Sequence, residues 1–265
     1  MESPAPLDLA RIRASLAASA TAVTIHFEPE IDSTNRLARE IVHPDPAAVL
    51  TDYQTEGKGR RGRRWSAPPR SSVLCSVVLP LAGTMRPTDG PMIGALAVAA
   101  TVEDVAGLAA TIKWPNDVLI GGRKVAGILA EFHAAPSLRI ILGMGVNVNV
   151  PASDLPTPDA TSLLHELGLP VPREDVAVTL LHHIVAWHRR LADDGDAAFR
   201  SWRDRLDITG RLVEVRTDTG SWEGVAEGVA RDGGLLVRRG RVVQTVYAAD
   251  VSLRHPLQVP GPSLQ

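Results

Sequence analysis

The stretch Gln54-Thr55-Glu56-Gly57-Lys58-Gly59-Arg60-Arg61-Gly62-Arg63-Arg64-Trp65 lies between two apolar runs and holds no apolar side chain before its tryptophan. Any fold of this chain must therefore carry it outside the core. The flanking runs, Val49 to Tyr53 and Ser72 to Leu79, read as strands, so the basic segment is a long connection between two buried strands. Five cations in the nine positions from Gly57 to Trp65 repel one another, and an anionic ligand relieves that repulsion. Glycines let the backbone approach a ligand and offer N–H groups, while arginine forks grip phosphate or carboxylate with paired hydrogen bonds. The segment thus predicts a loop that orders around a phosphorylated or adenylated small molecule. A solvated basic loop, or phosphate contacts to nucleic acid with stacking on Trp65, are the alternatives. No Walker phosphate loop occurs.

The rest of the chain narrows the choice. With 30 acidic against 28 basic residues and a formal charge of −2, the whole molecule offers no basic field for nucleic acid. An apolar fraction of 45% supports a real core. The single cysteine, Cys75, can form neither an internal disulfide nor a multi-thiolate zinc site, and reads as a buried passenger. The amino terminus lacks the order of a signal peptide and no apolar run is long enough to span a bilayer, which predicts no membrane partner and a cytoplasmic location.

Periodicity predicts a helix near Leu7 to Ala20, a strand Val23 to Phe27, and a helix Arg36 to Val42 with Asp32 to Asn35 as its caps. A small-residue helix is predicted over Pro91 to Gly107, and Gly121-Gly122 reads as a two-residue hairpin turn before the strand Lys124 to Ala130. Leu138 to Val150 reads as another strand, followed by helices near Ala160 to Gly168, Arg173 to Leu191 and Asp196 to Leu206. From Gly210 the pattern becomes about four short alternating runs, with turns at Asp218-Thr219-Gly220, Asp232-Gly233-Gly234 and Arg239-Gly240. The expectation is an α+β fold: a mixed-sheet domain over 1–207 with helices on one face, and a small barrel domain over 208–265.

Lys113-Trp114-Pro115-Asn116-Asp117 gathers a cation, an aromatic ring, an amide and a carboxylate at a strand end, where ligand contacts are common, although a proline turn with an Asx cap gives the same pattern. Lys124 follows a glycine turn with Gly127 three residues on, and could enter a cleft or lie on the surface. His182, His183 and His188 share an apolar-rich helix and read as packing or surface groups rather than metal ligands.

Together, Ser33-Thr34-Asn35, Gln54, the loop Gly57 to Trp65, Lys113 to Asp117, Lys124-Val125-Ala126-Gly127-Ile128-Leu129-Ala130-Glu131, Gly143-Met144-Gly145-Val146-Asn147-Val148-Asn149 and Val251-Ser252-Leu253-Arg254 resemble, in order, the motifs of bacterial biotin protein ligases. The resemblance is to the short form without an amino-terminal DNA-binding domain, so no operator binding is expected. It implies a synthetase-like catalytic domain with an SH3-like carboxy-terminal domain. It also implies activation of biotin by ATP to biotinyl-5′-AMP and transfer to one lysine of a biotin carboxyl carrier domain. Magnesium is expected on the ATP phosphates, with no metal held by the protein alone. Biotin's carboxylate must approach a phosphate of the same sign, a repulsion of about 4 kcal/mol at ~4 Å and an effective dielectric near 20.

By the resemblance, Lys124 lies between those two groups, Arg60 holds the acyl-phosphate side, and Asp117 borders the path of the acceptor amine. Ser33, Thr34, Asn35 and Gln54 pair with the ureido ring, with Gly57, Lys58, Gly59 and Gly127 completing the biotin site. Arg61, Arg63, Trp65, Lys113, Asn116 and Asn147 meet ATP or the adenylate. Lys58 departs from the arginine usual in this loop, which keeps the charge but loses the fork. A homodimer is compatible with the family. A lipoate or octanoate ligase of the same fold and a non-catalytic anion-binding module are the rival readings.

Overall fold

The computed structural model describes residues 4–135, 137–217, 220–247 and 250–253. The turn at Asp218-Thr219, Arg254 at the end of the last motif, and the tail beyond it lie outside the described residues. The chain divides into two units, Met1–Arg205 and Leu206–Gln265.

In the first unit, α1 (Leu9–Ala18) begins where the Asp8 carboxylate accepts the Arg11 N–H. It is followed by β1 (Thr24–Ile31), α2 (Thr34–Ala38), β2 (Ala47–Gln54), β3 (Ser72–Pro80), α3 (Gly90–Ala106), β4 (Ala110–Lys113), β5 (Asp117–Ile120), β6 (Arg123–His133) and β7 (Arg139–Asn147). The helices α4 (Leu163–Leu167), α5 (Arg173–Asp193) and α6 (Gly195–Arg203) complete it. The seven strands form one mixed sheet in the order β1-β2-β3-β7-β6-β5-β4, with only β1 and β2 parallel. Central β3 and β7 are almost wholly buried, as their largely apolar sequences favour. Edge strand β1 extends past Phe27 through Glu28, Pro29 and Glu30, whose exposed charges and ring discourage a further strand from pairing.

Alternation along β7 gives the two faces different duties. Ile140 and Leu142 meet α3, which lies close because Gly90 and Gly94 have no side chain; a Cβ on Gly94 would stand 2.8 Å from Ile128 Cγ2. Helix α5 packs on α3 and β3, with α1 and α6 beside it, so the long helices cover this face. Ile141 and Gly143 turn to the opposite face, where Ala38 of α2 packs with Val49, Val78 and Ile141. Helix α2 therefore ends at Ala38 rather than at Val42, and it starts two residues early because Thr34 and Asn35 are drawn into the sheet surface. Val42 is left exposed.

The amino-terminal segment is fastened by a buried ion pair. Arg173 and Asp52, whose side chains are each 5% exposed, meet at 2.8 Å. Asp52 also accepts from Leu7 N–H, and Arg173 donates to the Ala5 carbonyl at 2.7 Å, so both charges are further satisfied. Cys75 is buried and its thiol is pushed up to about 12, which makes it inert. His182, His183 and His188 each have their own protein partner: Thr21, Asp104 and the Pro80 carbonyl.

The second unit is an antiparallel sheet in the order β11-β10-β9-β8-β12, from β8 (Leu212–Thr217), β9 (Gly220–Val229), β10 (Leu235–Arg239), β11 (Val242–Val246) and β12 (Asp250–Leu253). It has one more strand than the four apolar runs suggest, since β12 is too short to show a period. Val213, Val215, Ala226, Leu235 and Val237 form its core. Among the described residues no helix is long and apolar enough to cross a membrane.

Candidate active site

The sheet face that the long helices leave free carries a row of residues in continuous register. Lys113 of β4 pairs with Asp117 of β5, Asp117 with Gly127 of β6, Gly127 with Gly145 of β7, Gly145 with Leu74 of β3, and Leu74 with Thr51 of β2. Paired residues share a face. The two glycines at its centre leave a floor without side chains. On them lies the Trp65 indole: a Cβ on Gly145 would stand 2.2 Å from Trp65 Cε2, and one on Gly127 3.1 Å from Trp65 Cζ3.

Simple alternation along β6 would send Lys124 to the face opposite Gly127. A register shift between Val118 and Leu119 leaves Val125 as an extra residue and pairs Leu119 with Lys124, which turns the lysine onto the site face. There its ammonium meets the Asp117 carboxylate at 2.7 Å and stands 5.6 Å from the centre of a Trp65 ring. Asn116 is held by two hydrogen bonds to Ile128, one from its side chain and one through its backbone carbonyl, and its side-chain oxygen accepts from Arg60 at 3.2 Å. Lys124, Asp117, Arg60, Asn116, Trp65 and Gly127 are thus brought together, with Lys113 on the same face.

A second cluster joins α2, β2 and β3. The Gln54 side-chain oxygen accepts from Thr34 N–H at 2.8 Å and from the Thr34 hydroxyl at 3.1 Å. Ser76 Oγ lies 2.6 Å from both Thr34 Oγ1 and Asn35 Oδ1. Asn35 sits over Gly143, where a Cβ would collide with its oxygen. Its Nδ2 turns toward the Glu131 carboxylate, while the Trp65 Nε1 is buried without a partner, a donor over the glycine floor ready for an acceptor. Gln54 is therefore not merely solvated at a strand end. Ser33 occupies the N-cap position, but its side chain makes no capping bond; the capping role read for it is not observed, and the buried residue remains beside the cluster.

Glu131, the last residue of the Lys124 motif, anchors this cluster. Arg39 donates two hydrogen bonds to it, at 2.8 and 3.0 Å, pinning α2 to β6. Burial pushes the Glu131 carboxyl up, but Arg39, helped by the Asn35 amide and His133, holds it below the usual carboxylate value.

The basic loop folds on itself as a small hairpin. Gly59 N–H donates to Arg63 O at 2.7 Å and Trp65 N–H to Gly57 O at 2.9 Å, around a turn in which Arg61 and Gly62 take left-handed angles. The Gly59 amide read as open to an anion is thus engaged within the loop. Gly57 packs so tightly that a Cβ would stand 2.5 Å from Trp65 O. Lys58, Arg61 and Arg63 stay exposed.

At the far end of the face, Asn147 is buried and donates from Nδ2 to Thr161 O at 3.0 Å, which leaves its oxygen to offer a ligand. Three polar groups escaped sequence reasoning: Ser76, Ser72 (whose buried hydroxyl has no partner) and Thr161. The first two interrupt an otherwise apolar strand, a signal that a buried polar role was available. Among the described residues no group of three His, Cys, Asp or Glu could hold a metal ion.

Residues 28–147 match the biotin/lipoate A/B protein ligase family, and residues 208–254 match the biotin protein ligase C-terminal domain. The chain is 30% identical to the bifunctional ligase/repressor BirA of Bacillus subtilis over 269 residues, spanning 96% of this chain and 81% of that protein. The biotin–[acetyl-CoA-carboxylase] ligase of Paracoccus denitrificans is 34% identical over 231 residues, or 83% of this chain and 96% of its own length. The biotin protein ligase of Aquifex aeolicus, solved in complex with biotin and ATP, superposes with a TM-score of 0.74 and 24% identity, covering 88% of this chain and 99% of that one. At that identity the likeness is one of fold.

Proposed function

The chain belongs to the biotin protein ligase family, and from that membership and the geometry above we propose that it joins biotin to ATP and passes the biotinyl group to a lysine of a carrier domain. The observation that carries the reading is the strand bulge that sets Lys124 beside Asp117 and Trp65 over the glycine floor.

In the first step the biotin carboxylate oxygen attacks the α-phosphorus and pyrophosphate leaves. Lys124, with Arg60 on the other side of the junction, offsets the negative charge that builds there. Thr34, Gln54, Ser76 and Asn35 match the donors and acceptors of the ureido ring, so that none of its polar atoms is buried unpaired. Trp65 and Gly127 bound the rings, with Gly57, Lys58, Gly59 and Ser33 around the biotin end. Lys113, Asn116, Asn147, Arg61 and Arg63 serve the nucleotide, the last two by swinging in from their exposed positions. In the second step the acceptor amine attacks the acyl carbon, AMP leaves, and the amine proton passes to Asp117 or to water. Magnesium would come with the nucleotide, held mainly by phosphate oxygens: Asp117 is already paired with Lys124, and among the described residues no group of three His, Cys, Asp or Glu could hold a metal ion.

The test is incubation of the protein with biotin, MgATP and a biotin carboxyl carrier domain. Pyrophosphate, AMP and a singly biotinylated carrier are expected. Lipoate in place of biotin decides against the lipoate ligase reading if it is ignored. Release of neither pyrophosphate nor AMP by folded protein would leave a non-catalytic anion-binding module.

A further inference from the structure

Resting on the ligase reading, we propose that Thr161 is a positioning residue for adenylate formation, locking Lys124 and Asn147 into one geometry. Direct pairing of β6 with β7 ends at Ala126 and Val146. Beyond it the segment Asp159 to Thr161 takes the place of β7 beside β6. Lys124 N–H donates to Asp159 O at 2.7 Å and Thr161 N–H donates to Lys124 O at 2.8 Å, with Lys124 bridged to Ala160. The sequence reads as helix from Ala160, but the helix waits until Leu163: Ala160 follows a turn and bridges to Lys124, and Ser162 is extended.

Thr161 has no exposed surface and uses every polar group it owns. Its carbonyl accepts the Asn147 amide at 3.0 Å, and its hydroxyl donates to Glu166 Oε1. Glu166 is fixed in turn by Arg123, whose Nη2 lies 2.9 Å from each carboxylate oxygen, and Ser162 caps the same short helix by accepting His165 N–H. One residue therefore joins the backbone of the lysine meant for the acyl-phosphate junction, the amide meant for the nucleotide, and a charged anchor on α4. Loosening it lets Lys124 and Asn147 drift separately, which a transition state gripped by both does not tolerate. Among the described residues Thr34, Gln54 and Ser76 bond to one another and not to Thr161, so this cluster is expected to keep its geometry.

The test compares Thr161→Val, close in shape but without the hydroxyl, with Thr161→Ser, which keeps it. Thr161→Val is expected to raise the KM for ATP about five- to tenfold and slow single-turnover adenylate formation about tenfold, with biotin affinity within about twofold of wild type. Thr161→Ser is expected to return both within about twofold. The proposal is overturned if folded Thr161→Val keeps the wild-type KM and rate, if biotin affinity falls in step with them, or if serine does not rescue. Should Thr161→Val not fold, Glu166→Ala decides: a raised KM for ATP supports the proposal and an unchanged one overturns it. Wild-type protein that releases no pyrophosphate counts against the ligase reading; an active wild type with an indifferent Thr161→Val counts against Thr161 alone.

Discussion

Lys124 owes its direction to a single additional residue. Val125, unpaired across from Leu119, rotates the chain so that the lysine and Gly127 share a face, and the side chain remains 36% exposed above the floor. Replacing it with alanine removes no core packing, so Lys124→Ala is expected to keep the thermal midpoint of the wild type. Adenylate formation is expected to slow by about 10²- to 10³-fold, the range found when one preorganised electrostatic donor is lost. Single-turnover mixing with biotin and MgATP checks this, and a rate near wild type would remove the lysine from its role. The type and place of this residue in the motif were legible in the sequence. Its direction was not, because nothing in Lys124-Val125-Ala126 marks a bulge, and strict alternation turns the side chain the wrong way.

Helix and strand positions followed period and punctuation wherever packing is regular. Helix α3 ends at Gly107 in a left-handed cap, and the Gly121-Gly122 turn takes the positive angles of a tight hairpin. Local signals misjudged α2, where side-chain bonds to other strands decide the limits. The seam between α5 and β3 yields a pH prediction. Burial pushes His188 below the usual imidazole value of 6.5; donation to the Pro80 carbonyl pulls the other way, and Arg189 adds to the lowering. An imidazole depressed in the folded state contributes stability above about pH 6.5, where both states are neutral, and loses it as the pH falls and the unfolded chain alone takes a proton. The thermal midpoint is therefore expected to fall between pH 7 and 5.5 more steeply in the wild type than in His188→Gln. Equal slopes in paired melting series would show that His188 contributes nothing to it.

Across the whole chain only three of the 28 cationic side chains are lysines, Lys58, Lys113 and Lys124, and all three belong to the motifs of the site. The remaining cations are arginines, which an acyl-adenylate does not acylate under the same conditions. An Arg60→Gly variant, which loses the guanidinium bonded to Asn116, is expected to release its intermediate several-fold faster than wild type. With lysine-rich bystander protein present, the label is expected chiefly on the bystander, because the enzyme itself presents only Lys58 as a fully exposed lysine among the described residues. An unchanged lifetime of the bound adenylate, measured by chase with unlabelled biotin, would contradict this.

From the sequence alone came the ordered motifs, the α+β class, the exposure of the basic loop and the burial of Cys75, because these depend on residue type, spacing and local period. Tertiary structure alone decided which atoms meet. It closed the loop on itself and laid Trp65 across Gly127 and Gly145. It linked Gln54, Thr34 and Ser76 across three elements, and let a segment 37 residues beyond Lys124 take over the strand beside it. Such contacts depend on register and bulges, which are set by the packing of the whole sheet and leave no trace in neighbouring residues.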